Sequence, residues 1–159
     1  MSFVLLTDER NPAKYRYGYD DIVTNYLTSD ERGTVYPLVN NQTDKQDNKP
    51  TQWSYWDIID IGNGWSFIKS STSGRFLTIR RYDVVALFAN EANEEQRRWQ
   101  LKRSPNARDQ HDQVFNIYNV THGGVYLEGA QHAILLNSAK NGNLPDGYNP
   151  RLHWGICEL

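Results

Sequence analysis

Three aromatic–leucine pairs recur along the chain at a fixed interval. Tyr26-Leu27, Phe76-Leu77 and Tyr126-Leu127 are 50 residues apart both times. A tryptophan followed two places on by an aliphatic residue also recurs, as Trp56-Asp57-Ile58, Trp99-Gln100-Leu101 and Trp154-Gly155-Ile156. After each aromatic–leucine pair comes an apolar run that ends near Asn: VYPLVN to Asn40, VALFAN to Asn90, AILLN to Asn137. Before each pair stands an aromatic-rich segment, KYRYGYDD, GWSFIKSS or VFNIYNV. Self-similarity of this kind marks a repeated supersecondary unit, and a unit this short cannot bury its own hydrophobic face. Three copies must share one core.

Each copy reads as four short strands. Apolar residues alternate or cluster in runs of four to six, and Gly and Asn punctuate them often, which disfavours long helices. The units span about 15–60, 65–103 and 114–159, joined by the turn-rich DIGNG and SPNARDQHD, within a single domain of 1–159. Twelve strands in three pseudo-symmetric copies are accommodated by a six-stranded barrel capped by three hairpins. A three-bladed propeller suits them less, because so few blades form a central channel poorly. The acidic NEANEEQRR is expected to make a helical turn before Trp99. SFVLL, near the N-terminus, either adds a strand or displaces KYRYGYDD as the first strand of the first unit. Trp56, Trp99 and Trp154 hold one place in every unit and are expected in the core; Trp53, in a loop beside Gln52, is the better candidate for exposure.

Composition narrows the function. Only 38% of the 159 residues are apolar, yet 13% are aromatic, five of them Trp. A disordered chain is poor in aromatics, so this one folds. The net charge is −2 and no long basic run occurs, which argues against nucleic-acid binding. One Cys excludes an internal disulfide, and Cys157, beside Ile156, is read as an inert thiol of a C-terminal strand. MSFVLLTDER is too short for a signal sequence and no stretch approaches a membrane span, so no membrane insertion and a cytoplasmic location are expected. The sequons at Asn41 and Asn119 would matter only in a secretory pathway. His111, His122, His132 and His153 show no metal-site spacing, and no nucleophile elbow, phosphate loop or dinucleotide fingerprint occurs. Asp20-Asp21 and Glu94-Glu95 are adjacent and diverge in extended structure. An enzyme, a cofactor and a metal are therefore not expected.

The middle copy carries a family resemblance. SGRFLTI, VVALFAN and EEQRRWQL together present a Ser-Gly turn, a Leu-x-Ile strand, an aliphatic strand, a polar loop and a Gln shortly before Trp. This resembles one repeat of the ricin-B-type β-trefoil lectins, in three copies over residues 15–159. Gln96 stands three before Trp99 where that family most often has two, Gln52 stands four before Trp56, and the third copy has NPRLHW. The resemblance implies an all-β trefoil fold and a non-catalytic carbohydrate-binding lectin, a defence lectin or a cell-binding toxin component, with glycans or glycoproteins as partners. In the galactose-binding type an Asp follows the Leu of the second strand and grips sugar hydroxyls. The matching positions here are Thr28, Thr78 and Glu128. A second resemblance, in size and Trp-x-Ile strands, is to small fungal β-trefoil protease inhibitors, which insert rigid loops into an enzyme cleft; DERNPAKY and NLPDGYNPR are the loops here that would serve.

Candidate sugar-binding residues follow copy by copy. The first copy offers Thr28, Asp30, Tyr36, Asn40 and Asn41, with Tyr36-Pro37 where the resemblance places a stacking aromatic–Pro pair. The second offers Thr78, Asn90 and Gln96, with Ala86 where Tyr36 stands in the first. The third offers Glu128, Asn137 and, on the long loop SAKNGNLPDGYNP, Tyr148. Shallow sites of this sort are individually weak, so function would draw on several sites, a homo-oligomer or a larger toxin complex for avidity.

Overall fold

The computed structural model describes residues 1–10, 22–41, 46–104 and 113–159. The first copy contributes β1 (Ser2–Arg10), β2 (Ile22–Ser29), β3 (Val35–Asn41), the two-residue β4 (Gln46–Asp47) and β5 (Trp56–Gly62). The second contributes β6 (Trp65–Ser70), β7 (Phe76–Arg80), β8 (Asp83–Leu87) and β9 (Arg98–Arg103), with a one-turn helix α1 (Glu94–Arg97) before β9. The third contributes β10 (Val114–Asn119), β11 (Val125–Gly129), β12 (Ile134–Ser138) and β13 (Trp154–Glu158). Without β4, these are the four strands per copy that the repeats require.

Pairing closes a ring. β13 pairs with β1, β1 with β5, β5 with β6, β6 with β9, β9 with β10, and β10 returns to β13, all antiparallel. Closure leaves this barrel no unpaired edge strand. The remaining strands form three hairpins, β2–β3, β7–β8 and β11–β12, each attached to the first barrel strand of its own copy. This is a β-trefoil. The first barrel strand of the first copy is β1, which contains SFVLL; KYRYGYDD lies outside the described residues. β1 qualifies because Leu5, Thr7 and Glu9 alternate inward while Cα register ties Phe3 to Trp56 and Leu5 to Ile156.

The core is built in threes. Trp56, Trp99 and Trp154 are fully buried, as are Leu27, Leu77 and Leu127. Each indole Nε1–H donates to the carbonyl of the leucine in its own copy: Trp56 to Leu27 at 2.8 Å, Trp99 to Leu77 at 3.0 Å, Trp154 to Leu127 at 2.9 Å. The bond fastens the last strand of each copy to its hairpin. Leu5, Ile68 and Ile117, one on each first barrel strand, pack into the same cluster. Burying an indole removes about 200 Å² from water, which contributes about 5 kcal/mol by area, while its hydrogen bond adds about 1 kcal/mol. The ring dominates stability and the N–H fixes its orientation.

Local chemistry shapes the connections. In α1, Gln96 Oε1 accepts from the Asn93 amide at 2.9 Å, so the expected helical turn is present and capped. Gly33 has φ +90, and a Cβ there would sit 2.1 Å from the Ala86 carbonyl oxygen. The Gly33 carbonyl accepts from the Ala86 amide at 2.8 Å, so the first two hairpins clasp backbone to backbone where only glycine fits. Trp53 and Trp65 are half-buried. Cys157 is also half-buried on β13, and burial, with the nearby Asp8 charge, pushes its thiol above the usual range, in line with an unreactive role.

Replacing the indole separates the two contributions. Trp99→Phe is expected to lower unfolding free energy by about 1–3 kcal/mol, since it leaves the buried Leu77 carbonyl without its donor. Trp99→Ala is expected to cost about 3–5 kcal/mol. Urea melts monitored by circular dichroism measure both.

Candidate functional site

The hairpin position after the repeated leucine is where the three copies part. Thr28 and Thr78 are fully buried. Their hydroxyls donate to carbonyls on their own strands, Thr28 to Tyr26 at 2.9 Å and Thr78 to Phe76 at 2.7 Å. Thr28 also meets the Ser54 hydroxyl at 3.0 Å. Neither hydroxyl faces outward to a ligand. Glu128 cannot satisfy itself in this way, because a carboxylate only accepts.

Glu128 is instead held by a cluster. It lies opposite Leu135 in the β11–β12 register, so Asn137, two residues along β12, is its diagonal neighbour on the same face. Asn137 Nδ2 donates to Glu128 Oε1 at 2.9 Å. Arg151, on a short 3₁₀ turn of residues 150–152 before β13, brings Nη1 to 3.8 Å from Glu128 Oε2. Its Nε donates to Glu9 Oε2 at 2.8 Å. Glu9 is 7% exposed and Glu128 8%, whereas the Arg151 side chain is 39% exposed. The hydrogen bond to Glu9 raises the Arg151 pKa further above its ordinary value, with the charges of Glu9 and Glu128 adding to it against the cost of burial. Behind Glu9, Asn25 Nδ2 donates to Glu9 Oε1 at 3.0 Å and to the Gly129 carbonyl at 3.2 Å, and Thr7 Oγ1 donates to that carbonyl at 2.7 Å. Two carboxylates thus share one guanidinium across the joint between the first and third copies.

The other sequence-derived candidates have separate places. Asp30 Oδ1 accepts from the Arg32 and Thr34 amides, both at 2.9 Å. Burial pulls its carboxyl slightly up, but these amides hold it below the usual carboxylate range. It is a turn former. Asn40 lies beside Tyr26, and Asn41 is fully buried. Tyr36 is exposed on β3. Asn90 is exposed on a 3₁₀ turn, and Gln96 is the cap of α1. Tyr148 is exposed and lies against His153, with ring centroids 5.1 Å apart. Among the eleven, a side-chain hydrogen bond joins Glu128 and Asn137. Asn119 of the second sequon is fully buried, with its Oδ1 taking the Thr121 amide at 2.8 Å.

Sequence reasoning missed Arg151 and Glu9. A buried acid needs a cationic partner, which is a signal for an arginine. Which arginine depends on the return of residues 150–152 to β1 and β11, 142 and 23 positions away in sequence from Glu9 and Glu128. Among the described residues no group of three His, Cys, Asp or Glu is placed to hold a metal ion, and no helix is long and apolar enough to cross a membrane.

No family model matches the sequence, and no curated protein sequence matches it. Solved structures do match in shape. One is a designed threefold-symmetric protein, ThreeFoil, at TM-score 0.61 and 12% identity, covering 99% of each chain. Another is SeviL bound to asialo-GM1 saccharide, at TM-score 0.61 and 12% identity, covering 98% of this chain and 96% of that one. At this identity the likeness establishes the trefoil fold over nearly the whole chain.

The half-buried cluster and an exposed ion pair differ in expected weight. Arg151→Ala leaves two nearly buried carboxylates facing each other and is expected to destabilise by about 1–3 kcal/mol. Lys140→Ala breaks the exposed Lys140–Asp146 pair at 2.6 Å and is expected to cost under about 1 kcal/mol. Thermal melts of the two variants, side by side, measure the difference.

Proposed function

We propose that this chain is a non-catalytic glycan-binding protein whose grip lies in the third copy, at Glu128, Asn137 and Arg151. The observation that carries this is the Glu128 carboxylate. It stands where the other two copies bury threonine, and it is held by one amide and one guanidinium that leave some of its lone pairs open. A sugar's neighbouring hydroxyls both donate and accept. Carboxylate, amide and guanidinium side by side offer two acceptors and two kinds of donor to such a pair, and charge-assisted bonds are the stronger ones. A trefoil solved with a bound saccharide supports the class of ligand. Exposed Leu135, opposite Glu128 in register, offers an apolar face to the sugar ring.

A glycan array followed by calorimetry on the best ligand tests the reading. Wild-type protein is expected to bind one sugar class, with Glu128→Ala and Asn137→Ala each weakening binding at least tenfold at unchanged fold. Tyr36→Ala is expected to leave this site intact. Binding that survives both third-copy substitutions would overturn the assignment.

One observation favours a second reading, a protease inhibitor acting through a rigid loop. The loop at 138–150 is pinned at Gly142, whose carbonyl accepts from Lys102 Nζ at 3.0 Å and from the Tyr126 hydroxyl at 2.8 Å. Pre-organised loops bind enzyme clefts at low entropic cost. An array without any bound glycan, together with inhibition of papain-like or trypsin-like enzymes, selects this reading over the first.

A further inference from the structure

The three hairpins line an open concavity of about 370 Å³ where they meet, within the range of about 300–1,000 Å³ typical of small-molecule sites. Each hairpin contributes a nitrogen-bearing side chain to its wall. Arg32 comes from the β2–β3 turn, Arg80 from the end of β7, and His132 from the β11–β12 turn. Asp83 supplies one acid, and Tyr36 and Pro37 also line it. Among the described residues the side chains of Arg32, Arg80, His132 and Asp83 make no hydrogen bond or ion pair, unlike Arg151, which is committed to Glu9. The frame around them is fixed: Gly33 and Thr34 bond backbone to backbone with Ala86 and Val85. His122 Nε2 and the Arg81 carbonyl also meet beside the second hairpin's turn, where Tyr82 stacks on His122 at 4.3 Å.

We infer that this cavity is a binding site for an oxyanion, either a free inorganic one or one carried by a hexose-sized molecule. Two guanidiniums with uncommitted donors in one concave wall suit sulfate, phosphate or carboxylate, whose geometry matches the planar fork. With two arginines against one aspartate, the wall carries net positive charge on a chain whose overall charge is −2. The volume exceeds what a bare tetrahedral anion fills, and the Tyr36 ring and Pro37 beside it give a sugar ring something to lie on. The inference does not rest on the Glu128 reading, since the residues do not overlap.

Calorimetry with glucose 6-sulfate, glucose and sodium sulfate at low ionic strength tests it. Glucose 6-sulfate is expected to bind at least tenfold more tightly than glucose and to weaken as salt rises. Arg32→Gln and Arg80→Gln should each weaken it at least fivefold. Asp83→Asn should strengthen it at least twofold, a gain that misfolding cannot produce. Sodium sulfate binding as tightly as the sulfated sugar would assign the site to free oxyanions; weaker sulfate would assign it to an oxyanion borne on a sugar. No binding of either anion at millimolar concentration, or less than twofold change in both arginine variants, would overturn the inference.

Discussion

The fold is organised by one contact made three times: a buried indole whose N–H donates to a leucine carbonyl. A buried tryptophan carries a donor that must be used, and a buried hairpin leucine carries a carbonyl that must be satisfied. Joining the two satisfies both and ties each copy's last barrel strand to its own hairpin. With Trp56, Trp99 and Trp154 oriented in this way, the six barrel strands and three hairpins have one mutual arrangement. The closed ring of strands then leaves the backbone little else to satisfy in the barrel.

Symmetry holds in the apolar layer and fails in the polar one, for a physical reason. Leucine or isoleucine at equivalent inward positions packs equally well, so Leu5, Ile68 and Ile117 interchange with little consequence. A polar side chain one residue beyond the repeated leucine must find its own partner. Threonine finds it on its own strand, as Thr28 and Thr78 do, and leaves nothing over for a ligand. Glutamate at the same place has no donor, so it recruits Asn137 from the next strand and Arg151 from a distant turn. The copy that departs most from the self-contained arrangement is the one left with chemistry to offer.

The same contrast separates the Glu128 cluster from the concavity between the hairpins. At Glu128 the charges are mutually engaged and the cluster supports the joint between the first and third copies. Where the hairpins meet, the backbone is clasped tightly while, among the described residues, the side chains of Arg32, Arg80 and His132 stay uncommitted. Tyr36 illustrates how placement alters meaning. The resemblance casts it as a stacking ring for a first-copy sugar site, but the threonine opposite it in register, Thr28, is sealed inside, and Tyr36 lines the shared cavity instead.

The repeated Tyr/Phe-Leu pairs and the Trp-x-aliphatic strands were enough to specify an all-β, three-copy fold with three buried indoles, because burial of large apolar rings follows from residue type and spacing alone. The turn before Trp99 was legible because it is local, but its cap was not: Gln96 reads as a ligand residue in sequence and caps α1 in the fold. Three further things were not legible. The role of SFVLL as the first barrel strand depends on the C-terminal strand returning to pair with it. The polar cluster depends on Glu9, Glu128 and Arg151 meeting from three separate segments, and the cavity on one residue from each hairpin. Local sequence encodes which faces must be buried; which polar groups then face each other is set by chain closure, and only the tertiary structure decides that.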